Sequence, residues 1–297
     1  MARSHRALAG LLLGALFIAF APIFVRLSEA GPIATAFFRM ALAWPVLFIW
    51  AYASPAQKHA APTFKSERLW LLIASTCFAC DLSAWHWSIK LTTVANATLL
   101  ANLAPVFVTL GAWLWLGERV SRTYLAGLLL ALAGLLLLSG ASFSLGTRYL
   151  LGDALGVLTA VFYGAYILSI SHLRRRLSTA HIMSHTTLTA SIILLAFTLA
   201  SGEPLLGLSV RGWLVVIGLA WLSHAAGQGL ITYALAHLPA SYSALVLILQ
   251  PVTAALLAWW LFAEHLGALQ IVGALIILSG IGVASRRSPG FSVDPSV

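Results

Sequence analysis

Charge is what this sequence most lacks. Only 8% of its residues are Asp, Glu, Lys or Arg, against 61% that are hydrophobic. A soluble domain carries roughly 25% charged residues, because water must wet its surface. The deficit excludes a water-soluble globular protein and leaves lipid as the solvent for most of the surface. Acids are scarcest, with 8 Asp and Glu beside 17 Lys and Arg. Cysteine occurs twice, as Cys77 and Cys80 in one apolar run, so neither a disulfide framework nor a metal-binding cluster is expected. Both read as packing residues. Long polar stretches are also missing. The longest connection, 54 to 68, holds about fifteen residues, too few for a soluble domain.

What remains is apolar sequence in lengths that cross a bilayer. Ten runs stand out, roughly 7–26, 33–53, 69–90, 93–116, 122–142, 149–172, 180–201, 211–235, 240–263 and 267–285. The fold expected is an all-α integral membrane protein. Arg3 and Arg6 precede the first run and Ala19-Phe20-Ala21 resembles a cleavage triplet, but Pro22 follows and the apolar run continues, so this segment reads as a helix. Lys and Arg set the orientation. With the N-terminus in the cytoplasm, 12 fall inside and 4 outside, with Arg39 within a span. The net charge of +9 is thereby a topology signal, and nucleic acid is not an expected partner.

The chain also repeats itself. Residues 104–134 align with 250–280 at a constant offset of 146, which superimposes Pro105 on Pro251, Trp113 on Trp259, Glu118 on Glu264, Gly127 on Gly273 and Gly134 on Gly280. The reading is two five-helix repeats, 1–145 and 146–297. Because five is odd, the second repeat enters from the opposite face, and the repeats are inverted. Inverted repeats are the basis of alternating access around a midplane site, so a carrier is expected. No HExxH, GxGD or GxSxG stretch occurs in the spans and no ATP-binding motif is present. Neither an enzyme nor a cofactor is expected, and gradients would supply the energy.

At these residues the chain resembles a known family. The doubled pattern Pro-Val-(x)6-Trp-(x)4-Glu-(x)8-Gly-(x)6-Gly is similar to the EamA repeat of the drug/metabolite transporter superfamily, and Phe37-Phe38-Arg39-Met40-Ala41-Leu42-Ala43 resembles that repeat's second-helix signature. The resemblance implies a ten-helix transporter of the bacterial inner membrane, with both termini cytoplasmic, that exports amino acids or other small metabolites. Among its members the YddG-type exporters of aromatic and other apolar amino acids look closest. A proton-coupled drug or metabolite efflux carrier is the alternative, and a channel the next. The superfamily's small multidrug pumps couple through a glutamate in the first helix, and this first helix has no acid.

Polar residues at membrane depth mark the candidate site, because each is costly there unless it faces a cavity or a partner. Asp81, Trp85 and Ser88 share one helix face, with His86 one step round. His224, Gln228 and Thr232 step by four along the eighth run, where Gly227 and Gly229 permit close approach or a local break. Asn102 and Gln250 lie beside Pro105 and Pro251, where a helix interruption would free carbonyls. Phe17 and Tyr163 add aromatic surface. The substrate-binding candidates are therefore Phe17, Asp81, Trp85, His86, Asn102, Tyr163, His224, Gln228 and Gln250. His86 and His224 also admit a packing role, and Trp87 an interfacial one. Arg39 is expected either to snorkel to the outer headgroups or to pair with Asp153. The cavity so read holds one acid and no fixed midplane cation. The expected partners are a small-molecule substrate and lipid, with the chain acting as a monomer.

Overall fold

The computed structural model describes residues 2–54, 65–139, 149–263 and 265–285. The 145/146 junction, Glu264, and the basic residues Lys58, Arg148, Arg286 and Arg287 of the orientation argument lie outside the described residues. Among those described, ten helices are long and apolar enough to cross a membrane. They are α1 (Ser4–Leu27), α2 (Pro32–Ala53), α3 (Lys65–Leu91), α4 (Asn96–Leu116), α5 (Arg122–Ser139), α6 (Leu150–Leu173), α7 (Thr179–Ser201), α8 (Val210–Ala234), α9 (Ala240–Phe262) and α10 (Ala268–Ser285). All ten expected runs are present.

Three of these helices are interrupted: α1 at Ala19 and Phe20, α4 at Asn102 and Leu103, and α9 at Leu247 and Ile248. The cause is local. Pro22, Pro105 and Pro251 open the segments that follow, and each lacks the N–H that would bond the carbonyl four residues earlier. Ile18, Ala101 and Leu247 thus lose their helical donors. The expected interruptions at Pro105 and Pro251 occur, and the one at Pro22 joins them. α8 is irregular for another reason, since Leu219–Gln228 winds as a π-helix. Such stretches are rare and concentrate at functional sites.

The packing is two-fold. α3 packs along α6, and its repeat counterpart α8 packs along α1, while α2 meets α7 and α5 meets α10, each helix against its own counterpart. The α5–α10 crossing shows the symmetry in atoms. A Cβ added at Gly127 would lie 2.5 Å from the Gly280 carbonyl oxygen, and one at Gly134 would lie 2.7 Å from that of Gly273. Since 280 is 134 + 146 and 273 is 127 + 146, the contacts are reciprocal, as a two-fold axis requires. The four glycines in register in sequence are those that let these backbones touch. On the same axis Phe78 stacks on its counterpart His224, ring centroids 5.5 Å apart.

Candidate binding cavity

A cavity of about 160 Å³ opens at the centre of the bundle, where the three interruptions converge. An apolar cavity of about 150 Å³ holds a benzene molecule, so this volume suits a small, ring-sized solute. Ile18, Ala101 and Leu247, whose donors four residues on are removed by proline, all line it, and the Leu247 carbonyl accepts instead from the Gln250 N–H at 3.0 Å. So do positions equivalent in the two repeats: Thr98 with Ala244, Asn102 with Ile248, Ala104 with Gln250, and Pro105 with Pro251. The cavity is therefore a product of the doubled α4/α9 motif, closed by α3, α6 and α8.

Of the nine residues singled out in the sequence, six line this cavity: Asp81, Trp85, Asn102, Tyr163, Gln228 and Gln250. Asp81 is 7% exposed, and among the described residues no hydrogen-bonding partner holds it. Asn102 ends the first segment of α4 and donates from Nδ2 to the Thr98 carbonyl at 2.8 Å. Tyr163 stacks on Tyr166, centroids 6.0 Å apart. The hydroxyls of Tyr163 and Tyr166 approach Gln228, whose amide atoms nevertheless make no well-formed hydrogen bond.

Three of the nine lie off the wall. His86 is 2% exposed, with Nδ1 2.7 Å from the Leu82 carbonyl and its ring edge-on to Trp85. His224 is 1% exposed and bonds Thr187 through Nε2 at 2.8 Å. Phe17 turns away, and its carbonyl accepts the Ser223 hydroxyl. His224 lies within the π-helical stretch Leu219–Gln228 and turns to Thr187 on α7, while Gln228 at the end of the same stretch faces the cavity. Ser88 also leaves the expected face and donates to the Gly152 carbonyl, joining α3 to α6. Trp87 is 43% exposed with the Lys90 ammonium over its ring, as an interfacial residue would be.

The largest correction concerns Arg39. It neither snorkels nor pairs with Asp153. It is 6% exposed, lines the cavity, and holds its guanidinium 6.0 Å above the Phe78 ring, within electrostatic reach of Asp81. Asp153 is taken by Thr92 and Asn96 at 2.6 and 2.9 Å. The cavity therefore does contain a fixed cation beside its acid. The signal was legible, since an intramembrane ionisable residue is functional by default, but depth alone does not reveal which way a side chain points. Phe78 was also missed, although it lies three residues before Asp81 on the same stripe.

The other described acids are engaged at helix ends. Glu29 accepts from the Ser209 N–H and hydroxyl at the start of α8, bonds that favour its charged form and lower its pKa. Glu203 accepts from Ala34 N–H on α2, and Glu118 from Ala240 and Ser241 N–H on α9. Glu67 faces Arg176 at 4.0 Å. Glu29, Glu203 and Glu118 sit at helix N-termini, where carboxylates are favoured, and the buried Glu67 meets an exposed arginine. Asp81 alone among the described acids faces the cavity.

Comparison with known proteins bears on this architecture directly. The signature of the EamA-like transporter family matches twice, over residues 5–140 and 150–286. The chain belongs to the EamA-like transporter family. It is similar to the pseudopaline exporter CntI of Pseudomonas aeruginosa, 28% identical over 221 residues, 74% of this chain and 76% of that one. It is also similar to a protein of Streptantibioticus cattleyicolor named "Probable terminal-alkyne amino-acid exporter", 26% identical over 224 residues, 74% and 75% of the two chains. A solved structure titled "Crystal structure of protein" superposes with a TM-score of 0.82 at 18% identity, covering 97% of this chain and 98% of that one, and so shares the fold. This EamA-type chain is a multi-pass membrane transporter of small metabolites, built as two inverted repeats, and not an enzyme.

Proposed function

We propose that the protein exports small metabolites with a compact apolar or aromatic body, most plainly apolar and aromatic amino acids, across a bacterial inner membrane by alternating access. One observation carries this reading: the cavity sits where three proline-interrupted helices meet at the repeat interface, and its wall is apolar with a few polar groups. That is the composition of a small-molecule site, placed where inverted-repeat carriers hold their substrates. The relative named an amino-acid exporter supports the substrate class by likeness. Termini in the cytoplasm, a monomeric working unit and a repeat boundary at 145/146 belong to the same proposal.

The test is transport in proteoliposomes. Radiolabelled phenylalanine, leucine and a sugar phosphate are offered on one side, with each unlabelled solute on the other. Saturable amino-acid flux with trans-stimulation is expected, and a linear, unstimulated flux would instead identify a pore. Sidedness is read from Gln57→Cys and Thr179→Cys, labelled from the cytoplasm, and Gly146→Cys, labelled from outside. Labelling of Gln57→Cys from the outside overturns the orientation.

A further inference from the structure

Two ionisable side chains of opposite type buried in one small cavity demand a physical reason. Moving an ion out of water costs several kcal/mol, and a buried ion persists only with a counter-charge or hydrogen bonds. Arg39 and Asp81 are both more than nine-tenths buried. Arg39 has no other acid within the described residues to turn to. Glu29, Glu118 and Glu203 are bonded at helix starts, Asp153 holds Thr92 and Asn96, and Glu67 faces Arg176. The Nε of Arg39 has no hydrogen-bond partner. Three more cavity-lining side chains carry buried polar atoms without partners: Thr159 Oγ1, both amide atoms of Gln228, and Gln250 Nε2. Natural interiors leave few such atoms unpaired, and those left so require an explanation.

We propose that Arg39 and Asp81 form the two poles of a zwitterion subsite, Arg39 receiving a carboxylate and Asp81 an ammonium. This rests on the cavity being the metabolite site. The Gln228 amide, which the Tyr163 and Tyr166 hydroxyls approach without a well-formed bond, and Nε2 of Gln250 supply further hydrogen bonds to the polar end, and the apolar body of the solute lies against Trp85 and Phe78. In the empty carrier Asp81 is the one described acid in the cavity available to offset Arg39. A solute with only an ammonium draws on Asp81 and leaves Arg39 uncompensated, and a solute with only a carboxylate does the reverse. A zwitterion satisfies both poles at once. The pair therefore acts as a charge filter, selecting solutes that are neutral overall but carry both charges, and rejecting a simple amine or acid of the same shape.

The experiment compares phenylalanine with phenethylamine, which lacks the carboxylate, and with 3-phenylpropionate, which lacks the ammonium. Binding is measured by ligand-dependent thermal shift of the full chain in nanodiscs, and transport by competition in proteoliposomes. The wild type should bind phenylalanine about tenfold or more tightly than either analogue, the worth of one charged hydrogen bond. Arg39→Gln should move the preference toward phenethylamine, and Asp81→Asn toward 3-phenylpropionate. The double variant should show no preference. A purely structural role would lower all three ligands together, and that parallel loss in folded protein overturns the proposal. So does a wild type that binds either analogue as well as phenylalanine, a comparison that needs no variant to fold. Saturable transport of phenylalanine unaffected by Arg39→Gln would leave the export reading standing while removing the charge filter. Absence of saturable flux for any apolar or aromatic amino acid would remove both.

Discussion

α4 and α9 are counterparts in sequence, and both are interrupted just before their prolines, yet their surroundings differ. α4 packs along α6 over both of its segments, whereas α9 meets α1 over only a few residues. From Leu249 to Phe262, α9 buries only Val252. The same motif thus forms a tightly held wall in one repeat and a loosely held wall in the other. Alternating access in an inverted-repeat carrier is the exchange of two such roles. The chemistry is divided as unevenly as the packing. At equivalent positions one repeat supplies a polar side chain and the other an apolar or missing one: Thr98 against Ala244, Asn102 against Ile248, Gln250 against Ala104, Gln228 against Leu82, Asp81 against Gly227. Symmetry builds the frame, and departures from it line the candidate site.

The largest effect should come from breaking the symmetric part. In Gly273→Leu the new Cβ would lie 2.6 Å from the Gly134 carbonyl oxygen and 2.5 Å from the Leu138 nitrogen. Backbone on both sides cannot yield, so α5 and α10 must separate, at a cost of about 3 kcal/mol or more. Yield of monodisperse protein and its melting temperature should both fall. Gly282→Leu on the same helix, with nothing within 4 Å, should leave both unchanged.

A smaller effect separates the asymmetric part. Trp85 lines the cavity, while its counterpart Ile231 is fully buried on α8. Trp85→Ala should weaken aromatic substrates by about 1 kcal/mol, roughly fivefold, and small apolar ones less. Ile231→Ala should lower stability and leave the order of substrate preference intact. A change of preference in Ile231→Ala, or none in Trp85→Ala, would remove the distinction.

The smallest effect sharpens the comparison at the helix ends. α4 ends on Gly117 with φ +70, and α9 ends on the equivalent Ala263 with φ +52. The left-handed conformation suits glycine and costs a Cβ-bearing residue about 1–2 kcal/mol. Ala263→Gly should therefore raise the melting temperature slightly. An unchanged or lower melting temperature would show that the second repeat accommodates its alanine there without strain.

Much was legible before any coordinates. The scarcity of charge, the ten runs and the 146-residue offset determine a membrane-embedded, doubled architecture, because span length and helix parity are one-dimensional properties. Pro105 and Pro251 determine two helix interruptions, because a missing N–H acts within four residues of its own position. The doubled motif resembles the EamA repeat, and the family match over 5–140 and 150–286 bears that resemblance out. Asp81, Asn102, Gln228 and Gln250 could be picked out by the cost of polarity at depth. What depth cannot give is direction. Whether Arg39 points to headgroups, to Asp153 or into the cavity depends on which acids other helices have already engaged. His224 is held off the cavity by Thr187 of α7, a partner that helical spacing along one run does not reveal. The difference between α4 and α9 is also tertiary. Two near-identical motifs take different neighbours because each helix packs against whatever the whole bundle presents to it. Only the folded chain decides that.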